Sequence, residues 1–237
     1  KLRAFLTLIG IIIGVAAVIV VGASIQGLKT YVIDQVSKVL GSNHFMITRM
    51  AMMERVSDEE FERRNRLYRD VTWEEYNYVR ENCKLCTYVG AQMNAGADLQ
   101  EGTVEMPSVR MQGVTDNMSE IEDKTLVEGR FFSKEEVERT AAVAVIGMDV
   151  KEKFFEFTSP LGKTLKIRGV PVTIIGVEQK RGSFFGQSQD RHMYIPITLH
   201  NQIFSRTGGL QIHGKTATPD NFKASIDEAN LLLRNKR

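Results

Sequence analysis

From Ala4 to Ile25 the chain runs for 22 residues without a charge, with Thr7 and Ser24 as the polar side chains. As a helix rising about 1.5 Å per residue, this run covers roughly 33 Å, enough to cross a bilayer core of about 30 Å. Backbone in hydrocarbon must satisfy its own hydrogen bonds, so a single span of this kind has to be helical. No second stretch like it occurs in the 237 residues. The rest is water-soluble in character and long enough for one large or two small domains.

Lys1 and Arg3 precede the run and Lys29 follows it. The contrast is small, but it favours a cytoplasmic N-terminus and an external soluble part. A cleaved signal peptide is the competing reading, because Gly22-Ala23-Ser24 resembles a small-residue cleavage site. Apolar regions of signal peptides run about 7–15 residues, shorter than this one. Gly10 and Gly14 are four apart, with Gly22 two turns further on. Such a glycine face lets another membrane helix approach closely, so packing against partner helices is expected at Gly10, Gly14 and Gly22.

The helical pattern continues past the apolar run. Ile25, Leu28, Val32, Ile33, Val36, Val39 and Leu40 recur at spacings of three and four, and Gly41 supplies a stop. One helix from Leu2 to Leu40 would span close to 60 Å at about 1.5 Å per residue. A stiff rod of that length can carry motion between a membrane and an external domain. A break at Gly27 is the alternative, since one interior glycine costs only about 1 kcal/mol.

Beyond the rod the chain mixes helix and strand. Phe45–Thr48 reads as a strand, and the charged stretch from Met50 to Asp70 as an exposed loop or peripheral helix. Thr72 and Glu75 form a capping box opening a helix over Trp73–Asn82, and Ser133 with Glu136 forms another. Strand patterns cover Thr87–Met93, Gly102–Glu105 and Ser108–Val114. Ala141–Ile146 is a continuous apolar strand, and Val150–Phe157 reads as a helix. Thr164–Arg168 and Val172–Glu178 flank a hairpin signal, and Arg191–Ile195 is a further strand. The chain closes with a strand at Leu210–His213 and a helix opened by Pro219, with Ile226, Ala229, Asn230 and Leu233 on one face.

Several chemistries are excluded or weak. Lys and Arg number 31 against 29 Asp and Glu, a net charge of +2, which provides no field for gripping nucleic acid. Gly162-Lys163-Thr164 resembles the end of a phosphate-binding loop, but Phe157 stands where that motif needs glycine. His44, His192, His200 and His213 have no metal-ligand spacing, and no Gly-x-Ser-x-Gly elbow occurs. Cys83 and Cys86 have redox-motif spacing but fall at a helix end, not a helix start. A local disulfide and a pair of free thiols both remain open for them. The loop Arg181–Gln189 carries Phe184 and Phe185 near glycines, a flexible apolar tip suited either to a partner or substrate contact or to plugging the core.

The chain resembles MacB/FtsX-type ABC-transporter permeases, in their first membrane helix and periplasmic core domain. The resemblance is carried by Leu2–Leu28, Val36–Ile47, Leu126–Glu136, Ala141–Val177 and Met193–Ile197, in that order and spacing. It implies an α+β architecture: a transmembrane helix over 1–28, a Porter-like α/β lobe over 29–125 and 205–237, and an inserted β-rich Sabre-like lobe over 126–204. It implies a bacterial inner-membrane permease that couples ATP hydrolysis by a partner ATPase to motion of the external domain. The chain itself then needs no cofactor, since the partner binds the ATP. The partners implied are that ATPase, a second permease copy, a periplasmic adaptor or substrate, and membrane lipid. Such permeases carry four membrane helices, so this chain reads as a fragment of one. Activation of a cell-wall hydrolase and single-pass sensing are the alternative roles.

Overall fold

The computed structural model describes residues 2–40, 43–49, 57–184, 186–205 and 209–237. The chain divides into two units, Lys1–Val39 and Leu40–Arg237. The first is made by one helix, α1 (Leu2–Leu40), of 39 residues. Gly27 lies within it and does not break it. Ile9–Thr30 is long and apolar enough to cross a membrane, and it is exposed throughout. Gly41, the expected stop, lies outside the described residues.

The second unit opens with β1 (His44–Ile47), α2 (Asp58–Leu67) and α3 (Trp73–Asn82). A long hairpin follows, β2 (Tyr88–Glu101) and β3 (Val104–Val114), then α4 (Met118–Ile121), β4 (Leu126–Gly129), α5 (Lys134–Glu138), β5 (Val143–Ile146) and α6 (Met148–Phe154). Next come β6 (Thr164–Ile167), β7 (Val170–Glu178), the small hairpin β8 (Ser183–Phe184) and β9 (Gln187–Ser188), and β10 (His192–Pro196). The unit ends with α7 (Ile197–Phe204), β11 (Gln211–Lys215) and α8 (Phe222–Lys236). Both capping boxes form: Thr72 with Glu75 opens α3, and Ser133 with Glu136 opens α5. Arg168 and Gly169, at φ +47° and +86°, join β6 to β7 as a two-residue turn with left-handed residues, which matches the twist of the strands.

The strands pair in the order β1-β11-β2-β3-β10-β5-β7-β4, while β6 pairs with both β2 and β7. The pairing therefore closes a ring of six strands, β2-β3-β10-β5-β7-β6. β2 can serve the ring and the outer strands because it is long. It pairs with β11 over Tyr88–Gln92 and with β6 at Leu99 and Gln100, bending at an irregularity between Ala97 and Leu99. β7 does the same with β6 at one end and β4 at the other.

All six ring strands contribute to one apolar cluster, with Leu99, Met111, Ile146, Leu165, Ile174, Met193 and Ile195 fully buried. Val150 of α6 and Phe204 of α7 join it. A second cluster gathers α3, α8 and the outer strands through Val79, Ala91, Ile212, Ala229 and Leu233. Strands from the two segments that the resemblance assigns to separate lobes share this sheet, since β10 lies between β3 and β5.

The elements depart from the sequence reading in identifiable places. The separate strands expected at Gly102–Glu105 and Ser108–Val114 are one strand, running through Pro107 with Ser108 at φ +55°. β2 extends eight residues past Met93, because pairing with β3 holds a Gly- and Ala-containing stretch of weak strand propensity. Of the two readings for Met50–Asp70, its described part contains helix α2. α4, β4 and α7 were not legible as periodic segments.

Candidate functional site

Gly10, Gly14, Gly22 and Gly27 leave open space on α1: a Cβ at any of them would meet nothing within 4 Å. Phe5, Ile11, Ile12, Ile13, Val18 and Ile19 are also exposed. The helix thus carries an apolar surface with a glycine track and no cover from this chain among the described residues.

Cys83 and Cys86 are joined by a disulfide at the end of α3, with Cα atoms 5.4 Å apart. The Glu228 carboxylate of α8 accepts hydrogen bonds from the Lys84 and Leu85 amides at 3.2 and 2.9 Å, tying this small loop to the last helix. Phe185 lies outside the described residues, and of Phe184 only the backbone is described, in β8. The loop that carries them is anchored at its base. Asp190 accepts from the Arg181 and Gly182 amides at 2.7 and 2.8 Å, and Ser188 donates to Asp149 at 2.6 Å.

The densest polar geometry lies on the face of β10 that points away from the ring. Met193 and Ile195 face the apolar interior, while His192 and Tyr194 face outward, as strand alternation requires. Around those two side chains stand Glu122, Lys124, Glu178 and Arg181, all buried or nearly so. Lys124 pairs with Glu122 and donates to the Tyr194 hydroxyl at 2.7 Å. Arg181 pairs with Glu178, its Nε donating at 2.9 Å, and comes within 3.9 Å of Glu122. His192 Nε2 lies 2.6 Å from Glu178, and its Nδ1 lies 2.8 Å from the Gln189 carbonyl. Both ring nitrogens thus face oxygen atoms. The cations Lys124 and Arg181 stand among the carboxylates Glu122, Glu178 and Asp190.

Burial pushes the Glu178 carboxyl up, but His192, Lys124 and Arg181 together outweigh it and hold the group down at about 2. Burial likewise works against Glu122, where Lys124, His213 and Arg181 win and the net shift is downward. Burial drives the Tyr194 hydroxyl up to about 12, so it stays a neutral acceptor for Lys124. His213 of β11 stacks on His44 of β1 with ring centroids 4.9 Å apart, 3.7 Å from Glu122. Burial dominates there and lowers His213 to about 3. His200 of α7 is fully buried against Gly113, where a Cβ would collide with it, and burial lowers it to about 4.

This arrangement offers no nucleophile with a free base beside it. Lys124 is committed to Glu122, Arg181 to Glu178 and Asp190 to two backbone amides, which makes the cluster a fixed electrostatic joint between β4's leading segment, β7 and β10. Among the described residues no group of three or more His, Cys, Asp and Glu is arranged to hold a metal ion. Sequence reasoning missed the joint because its members come from 122, 124, 178, 181, 190, 192 and 194, brought together only by sheet pairing. The one local signal was the polar His192 and Tyr194 inside an apolar strand.

The profile of the MacB-like periplasmic core domain matches residues 4–230. The chain is 29% identical over 235 residues to the macrolide export ATP-binding/permease protein MacB of Neisseria meningitidis serogroup A, covering 98% of this chain and 34% of that protein. It is 32% identical over 238 residues to the pyoverdine export ATP-binding/permease protein PvdT of Pseudomonas savastanoi pv. phaseolicola, covering 99% and 34%. The chain thus spans about a third of the length of the curated relatives it matches. Among solved structures, the periplasmic region of MacB from Actinobacillus actinomycetemcomitans aligns with TM-score 0.67 at 20% identity, covering 83% of this chain and 85% of that one. The extracellular domain of the noncanonic ABC-type transporter YknZ from Gram-positive bacteria aligns with TM-score 0.63 at 22% identity, covering 81% and 94%.

Proposed function

The chain belongs to the MacB-like periplasmic core domain family, and from that premise we propose that it is the first membrane helix and external head of an ABC-transporter permease. In this reading the head lies outside the cytoplasmic membrane of a bacterium and the N-terminus inside. A partner ATPase, in the same polypeptide or a separate one, binds and hydrolyses ATP, and this chain performs no catalysis. Its task is to pass the ATP-driven motion of the membrane part to the head, which exports or extracts a substrate. A second permease copy packs beside it, with the track Gly10, Gly14 and Gly22 as the contact between membrane helices.

The observation that carries the reading is the continuity of α1: 39 residues of helix, uninterrupted at Gly27. A helix transmits displacement along its axis, and a flexible joint does not. The names of the relatives, both ATP-binding/permease proteins, support the coupling to ATP. The buried joint of paired charges supports a head that moves as a body. Breaking a buried ion pair by removing one partner costs about 3–5 kcal/mol, which resists internal distortion.

The test is a flexible insertion of three glycines after Gln26 in the complete transporter, compared with an insertion of three alanines. The glycine insertion should leave ATP hydrolysis in place while abolishing the ATP-dependent distance change between spin labels on the two heads. The alanine insertion should preserve that change. Head motion that survives the glycine insertion overturns the coupling role.

A further inference from the structure

Cys83 and Cys86 share the two-residue spacing of reactive dithiol pairs, and the proposed transport role uses neither. Such pairs react readily at a helix N-terminus, where the helix dipole and free amides favour a sulfur anion. Here Cys83 is the C-terminal cap of α3, at the negative end of the helix. Its Sγ lies 3.5 Å from Glu228 Oε2. From this geometry we infer that Glu228 guards the disulfide: its carboxylate keeps the bond oxidised against attacking thiols, and the closed loop in turn fastens α3 to α8.

Reduction begins when a thiolate attacks one sulfur and expels the other as a thiolate. Attack on Cys83 is hindered twice, because the residue is buried and the incoming anion meets the Glu228 carboxylate. Attack on Cys86, which is half-buried, is the open route. It expels the Cys83 anion beside that carboxylate, and a destabilised thiolate leaves slowly. The amides of Lys84 and Leu85 lie inside the loop and would be the donors to such an anion. Both are committed to Glu228 instead, at 3.2 and 2.9 Å. With a dithiol as reductant, the Cys83 anion takes a proton from water. The second thiolate of the reductant then attacks its own sulfur in the mixed disulfide, and Cys86 leaves and is protonated likewise. The dithiol loses two electrons and two protons, and the protein disulfide gains them.

The same contacts make the loop a clamp. Disulfide closure holds the turn at Lys84 and Leu85, and the two amides of that turn bind a carboxylate on α8. Val79 of α3 and Ala229 of α8, the residue after Glu228, lie in one buried apolar cluster. The clamp therefore closes over an apolar contact between the two helices.

The test follows the disulfide under dithiothreitol, with the protein in phosphatidylcholine nanodiscs and free thiols counted by alkylation and mass spectrometry. Glu228→Gln keeps an oxygen to accept from the two amides and removes the charge. It should be reduced about tenfold faster than the parent. Hydrogen exchange at the Lys84 and Leu85 amides should be unchanged in it, which separates lost charge from a loosened loop. Asp227→Asn, at an exposed acid one residue earlier on α8, should be reduced at the parental rate. In the parent, a mercaptoethanol adduct trapped with acid should sit on Cys86 and not on Cys83. The trapping result stands whether or not the variant folds. A parental rate in Glu228→Gln overturns the inference. So does faster exchange at the two amides, an equal acceleration in Asp227→Asn, or an adduct on Cys83.

Discussion

Strand β10 has two sides with opposite physics. Toward the ring, Met193 and Ile195 are held by dispersion and exclusion of water; on the other side, His192 and Tyr194 sit in a network of paired charges. All five residues of the strand are buried, so exposure does not distinguish the sides. What differs is how each side fails. An apolar interior that loses a side chain keeps its remaining contacts and relaxes around a hole. A charged interior that loses one member leaves the partner ionised in a medium that cannot solvate it.

The largest effect should therefore come from breaking the charged side. Lys124→Met strips Glu122 of its pairing cation and removes the donor to Tyr194, and should cost about 3–5 kcal/mol in urea unfolding. Ile195→Ala on the ring side should cost about 2–4 kcal/mol, from lost burial plus the residual cavity. The two variants should also differ in their dependence on pH. The cost of Ile195→Ala should be the same at pH 7 and pH 5, because no ionisable group enters it. If Lys124→Met proves the milder of the two, the charged side is not the stiffer one.

Acid should attack one side and spare the other. Native His213 is held at about 3, whereas in the unfolded chain it titrates near 6.5. As the pH falls below 6.5, the unfolded state takes up a proton that the native state refuses. Stability then drops by about 1.4 kcal/mol per pH unit until the native value is reached, or about 2 kcal/mol by pH 5. Glu178 adds a second loss between 4.5 and about 2, where the unfolded carboxyl is protonated before the native one. His200, held at about 4 by burial, contributes in the upper window too. Urea midpoints measured from pH 7 to pH 4 should show this decline, and His213→Leu should remove a clear share of the loss above pH 5. A flat profile in the parent would mean that neither histidine is buried as described.

The two sides were unequally legible in the sequence. The ring was half visible: Ala141–Ile146 and the hairpin around Gly169 read directly as strands, because continuous apolar runs and left-handed turn residues are local signals. Closure of the ring was not visible, since it depends on β6 reaching β2 across the bend at Ala97, a contact between positions about 67 apart. α4 and β4 were missed because each is four residues long, shorter than any period can reveal. The charged side was invisible for the same reason as the closure. Glu122 and Lys124 look like ordinary surface charge until α4 packs over Gly90, where a Cβ would strike Ile121 and Asn117. The rod needed no such help. Its apolar run and its onward spacing are both local, and the helix runs as one element past Gly27.

The smallest effect should come from replacing the charged trio as a unit. In Glu122→Leu/Lys124→Met/Tyr194→Phe the carboxylate, the ammonium and the hydroxyl leave together, so no member stays behind without its partner. Removing both halves of a buried pair in favour of apolar groups of similar size is often neutral or stabilising. Phe131 already packs 6.1 Å from the Tyr194 ring, so the substituted side chains would extend an existing apolar surface. The triple variant should lie within about 1 kcal/mol of the parent, far from the sum of its single substitutions. Arg181, Glu178 and His192 keep their mutual bonds in it, which confines the change to one end of the network. A triple variant as unstable as Lys124→Met would show that the trio's charges act on the rest of the network at long range, and that the outer face of β10 is a single electrostatic unit rather than two adjoining ones.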